Sequence, residues 1–253
     1  MSSFDNALIS EHLSHVRIVM VNTTLPANIG SALRAMKTMG LCRLILVAPR
    51  TYPHQDCHLV FGTSARSRTI PWPLLDARPA AQTSMQAVVS KQQEIAIVFG
   101  REDRGLTNEE LALANYHVTI PVNTDYGVLN VAQAIQVICY EMRMATLELV
   151  DTPPQETNQM PVTGKSMMDW DEPLVTHEQM EQFYPHLEKM LEEIEFLDPN
   201  NKRLLPLRLR RLFGRIQLDR MEYHLLRGIF SRVQALNNGT WKKSNSQKEQ
   251  PDA

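Results

Sequence analysis

Three short polar blocks, centred on Asn28, Gly100 and Asn130, have the residue types and spacing for ligand chemistry. The first, NIGSALRAM, carries Arg34 and reads as the start of a helix, where backbone N–H donors face outward. In the second, VFGREDRGLTNEEL, charged residues follow an apolar run that ends at Gly100, which is where open α/β sheets place ligands. The third, IPVNTDYGVLNVAQA, leaves a strand through a polar loop whose backbone groups can hold an adenine edge. The blocks therefore favour an organic ligand bound at strand ends.

Each block also has an ordinary structural interpretation. Asn28 can be a simple helix N-cap and Arg34 a solvated helix residue. The loop after the first strand, NTTLPANIGSALRAM, contains neither GxGxxG nor GxxxxGK[ST], which disfavours ordinary Rossmann and P-loop nucleotide sites.

The elements that must position these blocks are the strands and helices of a parallel α/β sheet. Five runs are apolar almost throughout, as expected when helices cover both faces of a parallel sheet. Helices are predicted at 28–40, 107–114 and 130–149, and Thr107 with Glu110 forms a capping-box pattern at the start of the second. The five predicted strands are 16–22, 43–49, 58–62, 95–100 and 117–122.

The chain divides by composition into four parts. We predict an α/β domain at 1–150, a proline-rich linker at 151–175, a helical extension at 176–236 and a disordered tail at 237–253.

Charge separates cleanly within the helical extension. Residues 176–198 carry a net charge of −6 and residues 202–232 a net charge of +7. Pro185 should kink or split the first helix. An apolar face on a later helix should pack inward, and it comprises Met221, Leu225, Ile229 and Val233.

Composition limits the compartment and the possible partners. The 253 residues are 43% apolar with a net charge of −2, so a nucleic acid would have to bind a local basic patch. Cys42, Cys57 and Cys139 lie far apart, which argues against a zinc site or a disulfide framework and favours a reduced compartment. The N-terminus lacks the pattern of a signal peptide, and no stretch is long and apolar enough for a membrane span. We therefore expect a cytoplasmic protein.

Taken in order, the three blocks resemble the three motifs of the SpoU family of RNA ribose 2′-O-methyltransferases, which belong to the SPOUT class. The resemblance is strongest to the branch that methylates cytidine or uridine 32 of tRNA, because LVFGTSARSRTIPWPLLD (59–76) and the basic C-terminal helices are also similar. It runs from about Val16 to Val233. It implies a deep trefoil knot in the α/β domain and a homodimer with each active site near the subunit interface.

The resemblance also implies S-adenosylmethionine as cofactor and tRNA as partner. A sulfonium methyl group is already activated, so no metal is expected. Arg34 would stabilise the developing 2′-alkoxide as a donor, because a guanidinium hardly ever deprotonates in proteins. Glu102 would help to hold Arg34 and the ribose, although a purely structural Glu102–Arg34 ion pair is the alternative. The catalytic or orienting residues are Asn28, Arg34, Glu102 and Asn130, and the cofactor contacts are Thr63, Ser64, Ala65, Gly100, Ile120, Gly127, Val128 and Leu129.

Two arginine groups are candidates for RNA binding by charge neutralisation. Arg66 and Arg68 follow the predicted cofactor residues, with Trp72 nearby to stack or, alternatively, to anchor an exposed loop. The second group lies in the basic helices, where a merely solvated face is the alternative, and comprises Arg208, Arg210, Arg211 and Arg215.

Two departures from the family pattern keep other functions open. Only RTYPHQDC separates Pro49 from His58, where family members have a further helix, strand and helix. We therefore predict that a unit is missing at the Asp56–Cys57 junction, either because the fold tolerates its loss or because this sequence omits residues of the native protein. Val128 stands where many relatives have serine. The alternatives are therefore methylation of ribosomal RNA or a catalytically weakened RNA-binding protein.

Overall fold

The computed structural model describes residues 3–47, 56–64, 72–123, 129–151 and 172–240. Eight helices and six strands lie in these ranges. In chain order they are α1 Ser3–Leu13, β1 Val16–Val21, α2 Pro26–Met39, β2 Arg43–Val47, β3 Leu59–Thr63, β4 Leu74–Asp76, α3 Ala77–Lys91, β5 Ile95–Phe99, α4 Asn108–Leu111, β6 Tyr116–Thr119, α5 Val131–Asp151, α6 His177–Glu193, α7 Leu205–Ile216 and α8 Arg220–Asn237.

The strands form one parallel sheet in the order β2-β1-β5-β3-β6-β4. This confirms the predicted α/β class and places a strand at each of the five predicted runs. The three-residue strand β4 was missed, as were α1 and α3. The knot remains a prediction, because residues 65–71 and 124–128 lie outside the described residues.

The sheet is covered on both faces, which explains its continuous apolar strands. Side chains at alternate positions of β1 and β5 pack with α1, α2, α3 and α5 on one face. The intervening positions pack on the other face with Leu106, Leu111 and Ala114 around α4. All six residues of β1 and all five of β5 are buried. Since the strands are parallel, the carboxyl ends of β1, β3, β5 and β6 meet at one edge.

An ion cluster closes the opposite edge of the sheet. Arg17, in β1, is only 5% exposed and is paired with Asp56 and with Glu94, whose Oε2 lies 3.0 Å from Arg17 Nη2. Glu94 also accepts from Arg43, and its Oε1 lies 2.8 Å from His15 Nδ1. The hydrogen bond from Arg17 lowers the pKa of Asp56. A buried arginine is tolerated here because carboxylates neutralise it.

The chain between β2 and β3 is short for the distance it must cover. β1 and β5 lie between these two strands in the sheet, and only residues 48–58 connect them. Residues 48–55 of this connection lie outside the described residues. A missing family unit at this place therefore stays a prediction.

The helical extension has its own core around Phe183, which contacts the rings of Phe213 and Phe230 at centroid distances of 4.8 and 5.2 Å. Pro185 does not split the first helix of the extension, because α6 runs through it to Glu193; a kink at Pro185 stays a prediction.

The prediction that four apolar residues of α8 face inward is also wrong for three of them. Met221 and Leu225 are each 64% exposed and Ile229 is 49% exposed, whereas Val233 packs against the core. The buried face instead carries Tyr223 and Phe230, because these aromatic side chains bury more apolar area than the aliphatic ones.

The extension is docked on the α/β domain by direct hydrogen bonds. The backbone N–H of His177 donates to the carbonyl of Cys57 at 2.8 Å, and Gln217 Nε2 donates to the hydroxyl of Tyr116 at 2.7 Å. Within the described residues, no helix is long and apolar enough to cross a membrane.

His177 makes the stability of the protein depend on pH. Burial, with a smaller effect of Arg210, lowers the pKa of His177 to about 4 from an ordinary value of 6.5. Between these two values the unfolded chain binds a proton that the folded chain excludes, so lowering the pH from 6.5 to 4 destabilises the fold. We expect this residue to account for up to about 3 kcal/mol of that loss.

Urea unfolding of the full chain at pH 4, 5 and 7 measures the effect. His177→Gln should flatten the pH dependence, whereas His224→Gln, at an exposed position of α8, should leave it unchanged. Equal pH slopes for the wild type and His177→Gln would show that His177 does not carry the effect.

Candidate active site

A cavity of about 290 Å³ lies at the carboxyl ends of β3, β5 and β6, beside the start of α5; we call it the inner cavity. All five described residues among the eight predicted cofactor contacts line it, namely Thr63, Ser64, Gly100, Ile120 and Leu129. The other three, Ala65, Gly127 and Val128, lie outside the described residues. The assignment of these eight residues to a cofactor stays a prediction.

Hydrogen bonds to backbone carbonyls hold the carboxyl end of β3, which forms one wall of the inner cavity. Thr63 Oγ1 donates to the carbonyl of Val98 at 3.0 Å, which ties β3 to β5. The N–H of Ser64 donates to the carbonyl of Val118 at 2.9 Å, which ties β3 to β6. This wall is therefore rigid before any ligand arrives.

Gly100 is required by a close approach of the backbone. A Cβ atom at this position would lie 2.1 Å from the carbonyl carbon of Gly105 and 2.2 Å from the nitrogen of Leu106. The chain returns onto itself here, because Arg101 and Gly105 exchange backbone hydrogen bonds of 3.3 and 2.9 Å. The charged segment 101–104 is thus a tight loop that borders the inner cavity.

A chain of hydrogen bonds joins three of the four predicted catalytic residues. The N–H of Ala132 donates to Asn130 Oδ1 at 2.8 Å, Asn130 Nδ2 donates to Asn28 Oδ1 at 3.0 Å, and Asn28 Nδ2 donates to Glu102 Oε1 at 2.9 Å. All three hydrogen bonds donate in the same direction, so they fix the orientation of both side-chain amides. The last acceptor is the carboxylate of Glu102. Glu102 keeps a second oxygen as a further acceptor.

The structure decides against the N-cap interpretation of Asn28. The N-cap of α2 is Leu25, which makes no side-chain capping bond, and Asn28 is the third residue of the helix. Its side chain is only 7% exposed and reaches across to Glu102. Asn130 is the residue that caps a helix, since its side chain accepts from the N–H of Ala132 in the first turn of α5.

Arg34 does not join this hydrogen-bond chain. Arg34 follows Asn28 by six residues, which in an α-helix is a rotation of about 240°. The side chains of Asn28 and Arg34 therefore leave α2 from different faces. Arg34 is exposed and, in the described part of the chain, makes no hydrogen bond or ion pair with Glu102. The expected Glu102–Arg34 contact is therefore absent within a single subunit.

A second cavity, which we call the outer cavity, also borders the 101–104 loop. Its volume is about 760 Å³, and it is lined by Asn22, Thr23, Thr24 and Leu46 from the ends of β1 and β2 together with the loop itself. Arg101 is held by Glu110 through two contacts of 3.0 Å, and Thr107 caps α4 through the predicted capping box with Glu110. The sequence blocks did not single out Asn22, although a polar residue directly after a buried parallel strand is a usable signal.

The predicted RNA-binding arginines have different environments. Arg208 and Arg215 are exposed on α7, and Arg211 is half-buried. Arg210 is paired with Glu181 on α6 and lies 4.3 Å from the ring centroid of Tyr184. Arg210 is therefore held by structural contacts, and RNA binding by Arg210 stays a prediction. Arg66 and Arg68 lie outside the described residues.

Trp72 has a clear packing role. Its Nε1 donates to the carbonyl of Ala114 at 2.9 Å, and its ring stacks on that of His117 at a centroid distance of 5.3 Å. Base stacking by Trp72 stays a prediction. No group of His, Cys, Asp and Glu within the described ranges can hold a metal ion.

Comparison with known proteins identifies the class. Residues 60–140, which contain most of the inner cavity, match the model of the SpoU rRNA Methylase family. Fold and site together define a methyltransferase of the SpoU class. Residues 178–249 match a second model, the C-terminal domain of the tRNA methyltransferase TrmJ.

Relatives over the whole length identify the family within that class. The chain is 42% identical to the tRNA (cytidine/uridine/adenosine-2′-O-)-methyltransferase TrmJ of Pseudomonas aeruginosa, covering 92% of this chain and 99% of the relative. It is 39% identical to the tRNA (cytidine/uridine-2′-O-)-methyltransferase TrmJ of Pectobacterium atrosepticum, covering 88% of this chain and 98% of the relative. The chain belongs to the TrmJ family. The crystal structure of TrmJ from Z. mobilis ZM4 superimposes with a TM-score of 0.67 at 28% identity, covering 86% of this chain and 98% of the solved chain.

The alignment with the Pseudomonas relative contains gaps in this chain. It extends over 261 residues, more than the 253 of this chain, although only 92% of the chain takes part. The relative therefore has residues without a counterpart in this chain, and a missing unit between β2 and β3 stays a prediction.

Proposed function

We propose that this protein transfers the methyl group of S-adenosylmethionine to the ribose 2′-oxygen of nucleotide 32, a cytidine or uridine, in the anticodon loop of tRNA. The observation that carries the proposal is the inner cavity, which adjoins the hydrogen-bond chain Asn130–Asn28–Glu102. The curated relatives named above are tRNA 2′-O-methyltransferases. The assignment to nucleotide 32 rests on the resemblance of the sequence motifs to those of the family.

The lining of the inner cavity fits an adenosyl cofactor. Its walls combine apolar side chains, among them Ile120 and Leu129, with the backbone at the ends of β3 and β5. Such a lining suits an adenine ring and a ribose held by a few directed polar groups. When bound, S-adenosylmethionine supplies a methyl group that is already activated by its sulfonium. The protein then has to position the ribose and stabilise charge on its 2′-oxygen.

Glu102 and the two asparagines are suited to positioning the ribose. The hydrogen bond from Asn28 holds one carboxylate oxygen of Glu102, so the other remains to accept a hydroxyl proton of the nucleotide. Because Asn130 is tied to the first turn of α5, the arrangement is pre-organised.

Arg34 would act from the partner subunit. It lies away from the hydrogen-bond chain of its own subunit and is exposed on α2. In the homodimer implied by the resemblance, with active sites near the interface, an exposed Arg34 can complete the site of the partner. It would donate hydrogen bonds to the developing alkoxide and would remain protonated.

The C-terminal helices would bind the tRNA backbone. Ion pairs already neutralise part of the basic stretch, since Lys202 Nζ lies 2.6 Å from Glu192 and Arg210 is paired with Glu181. Arg208 and Arg215 stay exposed, so they are the better candidates for phosphate contacts.

The double variant Arg208→Gln/Arg215→Gln should bind tRNA about 10-fold more weakly in 0.1 M salt, with a log–log salt slope smaller by about 1–2, because two phosphate contacts are lost. Titration of tRNA at several salt concentrations measures both quantities. Lys189→Gln, at a cation of the acidic helix α6 that is paired with Glu193, is the matched control. An unchanged slope in the double variant would move the RNA site elsewhere.

Incubation with labelled S-adenosylmethionine and total RNA, followed by mapping of the label, tests the proposed function. We expect label in tRNA. Label in ribosomal RNA alone would favour the second candidate reaction, and binding of S-adenosylmethionine without any RNA labelling would favour a catalytically weakened RNA-binding protein.

A further inference from the structure

Arg101 has no assigned role in the function proposed above, yet it stands directly before Glu102 in the chain. Its backbone N–H donates to the carbonyl of Gly105 at 3.3 Å, and its carbonyl accepts from the N–H of Gly105 at 2.9 Å. These two bonds close the tight loop that carries Glu102. The position of the Glu102 carboxylate therefore depends on what holds this loop in place.

The side chain of Arg101 ties this loop to α4. Its Nη1 and Nη2 atoms donate to the two carboxylate oxygens of Glu110, each at 3.0 Å, and the two side chains are only 19% and 12% exposed. Such a bidentate pair fixes the plane of the guanidinium as well as its distance from the carboxylate. Glu110 is fixed in turn, because its Oε2 accepts from the N–H of Thr107 at 2.7 Å in the capping box of α4.

A second contact ties Arg101 to the end of β1. A guanidinium can only donate, so the amide atom of Asn22 that faces it is the oxygen, which accepts from Nη2 at 2.6 Å and from Nε at 3.2 Å. Asn22 is itself held, since its N–H donates to the carbonyl of Val47 at 2.8 Å. After a short connection, β1 continues into α2, which carries Asn28. Arg101 thus joins the loop of Glu102 to the segment that leads to Asn28.

These contacts use most of the donors of Arg101. Of the five N–H bonds of a guanidinium, one from Nη1, two from Nη2 and one from Nε are directed at Glu110 and Asn22, which favours a role within the protein over a contact with RNA. Glu102, in contrast, accepts from Asn28 at 2.9 Å through Oε1, and hydrogen bonds weaken steeply when donor and acceptor are misaligned. A small shift of the loop would therefore loosen this bond and move the second carboxylate oxygen of Glu102.

We propose that Arg101 is a positioning residue that acts through Glu102. Its contacts with Glu110 and Asn22 hold the loop so that the Glu102 carboxylate meets Asn28 and the ribose hydroxyl together. This inference rests on the proposed function, in which Glu102 accepts a hydrogen bond from the nucleotide. Loss of these contacts slows the methyl transfer. Binding of tRNA and of cofactor changes little, because the backbone hydrogen bonds that close the loop are kept.

Two variants remove the ion pair from opposite ends. Arg101→Lys keeps the positive charge, but an ammonium cannot reproduce the fork that bonds both carboxylate oxygens and the Asn22 amide. Glu110→Gln removes the carboxylate charge, and the start of α4 is retained because glutamine also serves in a capping box. Arg78→Lys is the matched control, since Arg78 donates to both oxygens of Glu141, at 3.0 and 3.4 Å, in a pair between α3 and α5.

The experiment measures kcat at saturating tRNA, the affinities for tRNA and for S-adenosylmethionine, and urea unfolding of the full chain. Arg101→Lys and Glu110→Gln should each lower kcat about 10-fold, because a misplaced group at the reacting centre costs rate steeply. Both affinities should stay close to the wild-type values. The double variant should be no slower than the slower single variant, because both changes break the same contact. Arg78→Lys should turn over like the wild type, and an equal loss there would overturn the inference by making the effect general.

Three further results would overturn the inference while leaving the proposed function intact. Wild-type kcat in both folded variants, whatever their stability to urea, would give the Arg101–Glu110 pair a purely structural role. Weaker tRNA binding with a smaller salt slope and wild-type kcat would make Arg101 a phosphate contact. Losses that multiply in the double variant would mean that Arg101 and Glu110 act separately. Failure of the wild type to methylate tRNA would instead overturn the proposed function, and the inference with it.

Discussion

Arg34→Ala will lower kcat for tRNA methylation by at least about 100-fold and leave the affinity for S-adenosylmethionine unchanged. Loss of one donor to a developing oxyanion typically costs about 100–1,000-fold in rate. Cofactor affinity should not change, because the proposed contact of Arg34 is with the ribose oxygen of the partner's site and Arg34 does not line the inner cavity of its own subunit. Single-turnover kinetics and calorimetric titration of the cofactor measure the two quantities.

Lys37→Ala is the control, because Lys37 is another exposed cation of α2. A comparable loss in Lys37→Ala would mean that the charge of the helix matters, and not a specific donor. Weakened cofactor binding in Arg34→Ala would show that its role is misassigned.

Mixing two inactive variants tests whether Arg34 acts across the subunit interface. If it does, a heterodimer of Arg34→Ala and Glu102→Gln subunits contains one intact site, formed by Glu102 of one subunit and Arg34 of the other. Random exchange of equal amounts should then restore about a quarter of wild-type activity. No recovery despite proven exchange would place Arg34 in the site of its own subunit.

Gly100→Ala will destabilise the protein and weaken cofactor binding together. The new Cβ would lie 2.1 Å from the carbonyl carbon of Gly105, so the 100–105 loop must open and lose its backbone hydrogen bonds. Overpacking of this kind costs about 1–3 kcal/mol, and backbone neighbours cannot rotate away, so we expect the upper end of that range. The cofactor affinity should fall because the displaced loop borders the inner cavity.

Urea unfolding and cofactor titration measure both effects. Gly228→Ala is the matched control: nothing lies within 4 Å of its Cβ position, and alanine inside α8 should be neutral or stabilise by up to about 1 kcal/mol. Wild-type stability and cofactor affinity in Gly100→Ala would show that the tight 100–105 loop supports neither the fold nor the inner cavity.

The sequence predicted the sheet and the strand-end residues well, because both follow from local patterns. Continuous apolar runs indicate buried parallel strands, and their carboxyl ends must share one edge, so Gly100 and Ile120 come together. The helix start at Thr107 was also correct, since a capping box is a local pattern.

Contacts between distant segments were less predictable. The motif spacing does not show that Asn28 rather than Arg34 reaches Glu102, because this depends on how α2 packs on the sheet. The inward face of α8 was misjudged because two apolar faces compete on that helix, and the aromatic one, with Tyr223 and Phe230, is buried. Arg101 Nη2 lies 2.6 Å from the side-chain amide of Asn22, which is far away in the chain, so no local pattern indicates this contact.

The central claim is methylation of one ribose hydroxyl in tRNA, and removal of that hydroxyl tests it most directly. Two tRNAs should be assembled that differ only in ribose or 2′-deoxyribose at nucleotide 32, and each should be incubated with labelled S-adenosylmethionine and the full chain. We expect close to one methyl group per molecule in the first tRNA and none in the second. Undiminished labelling of the 2′-deoxy tRNA would contradict the account.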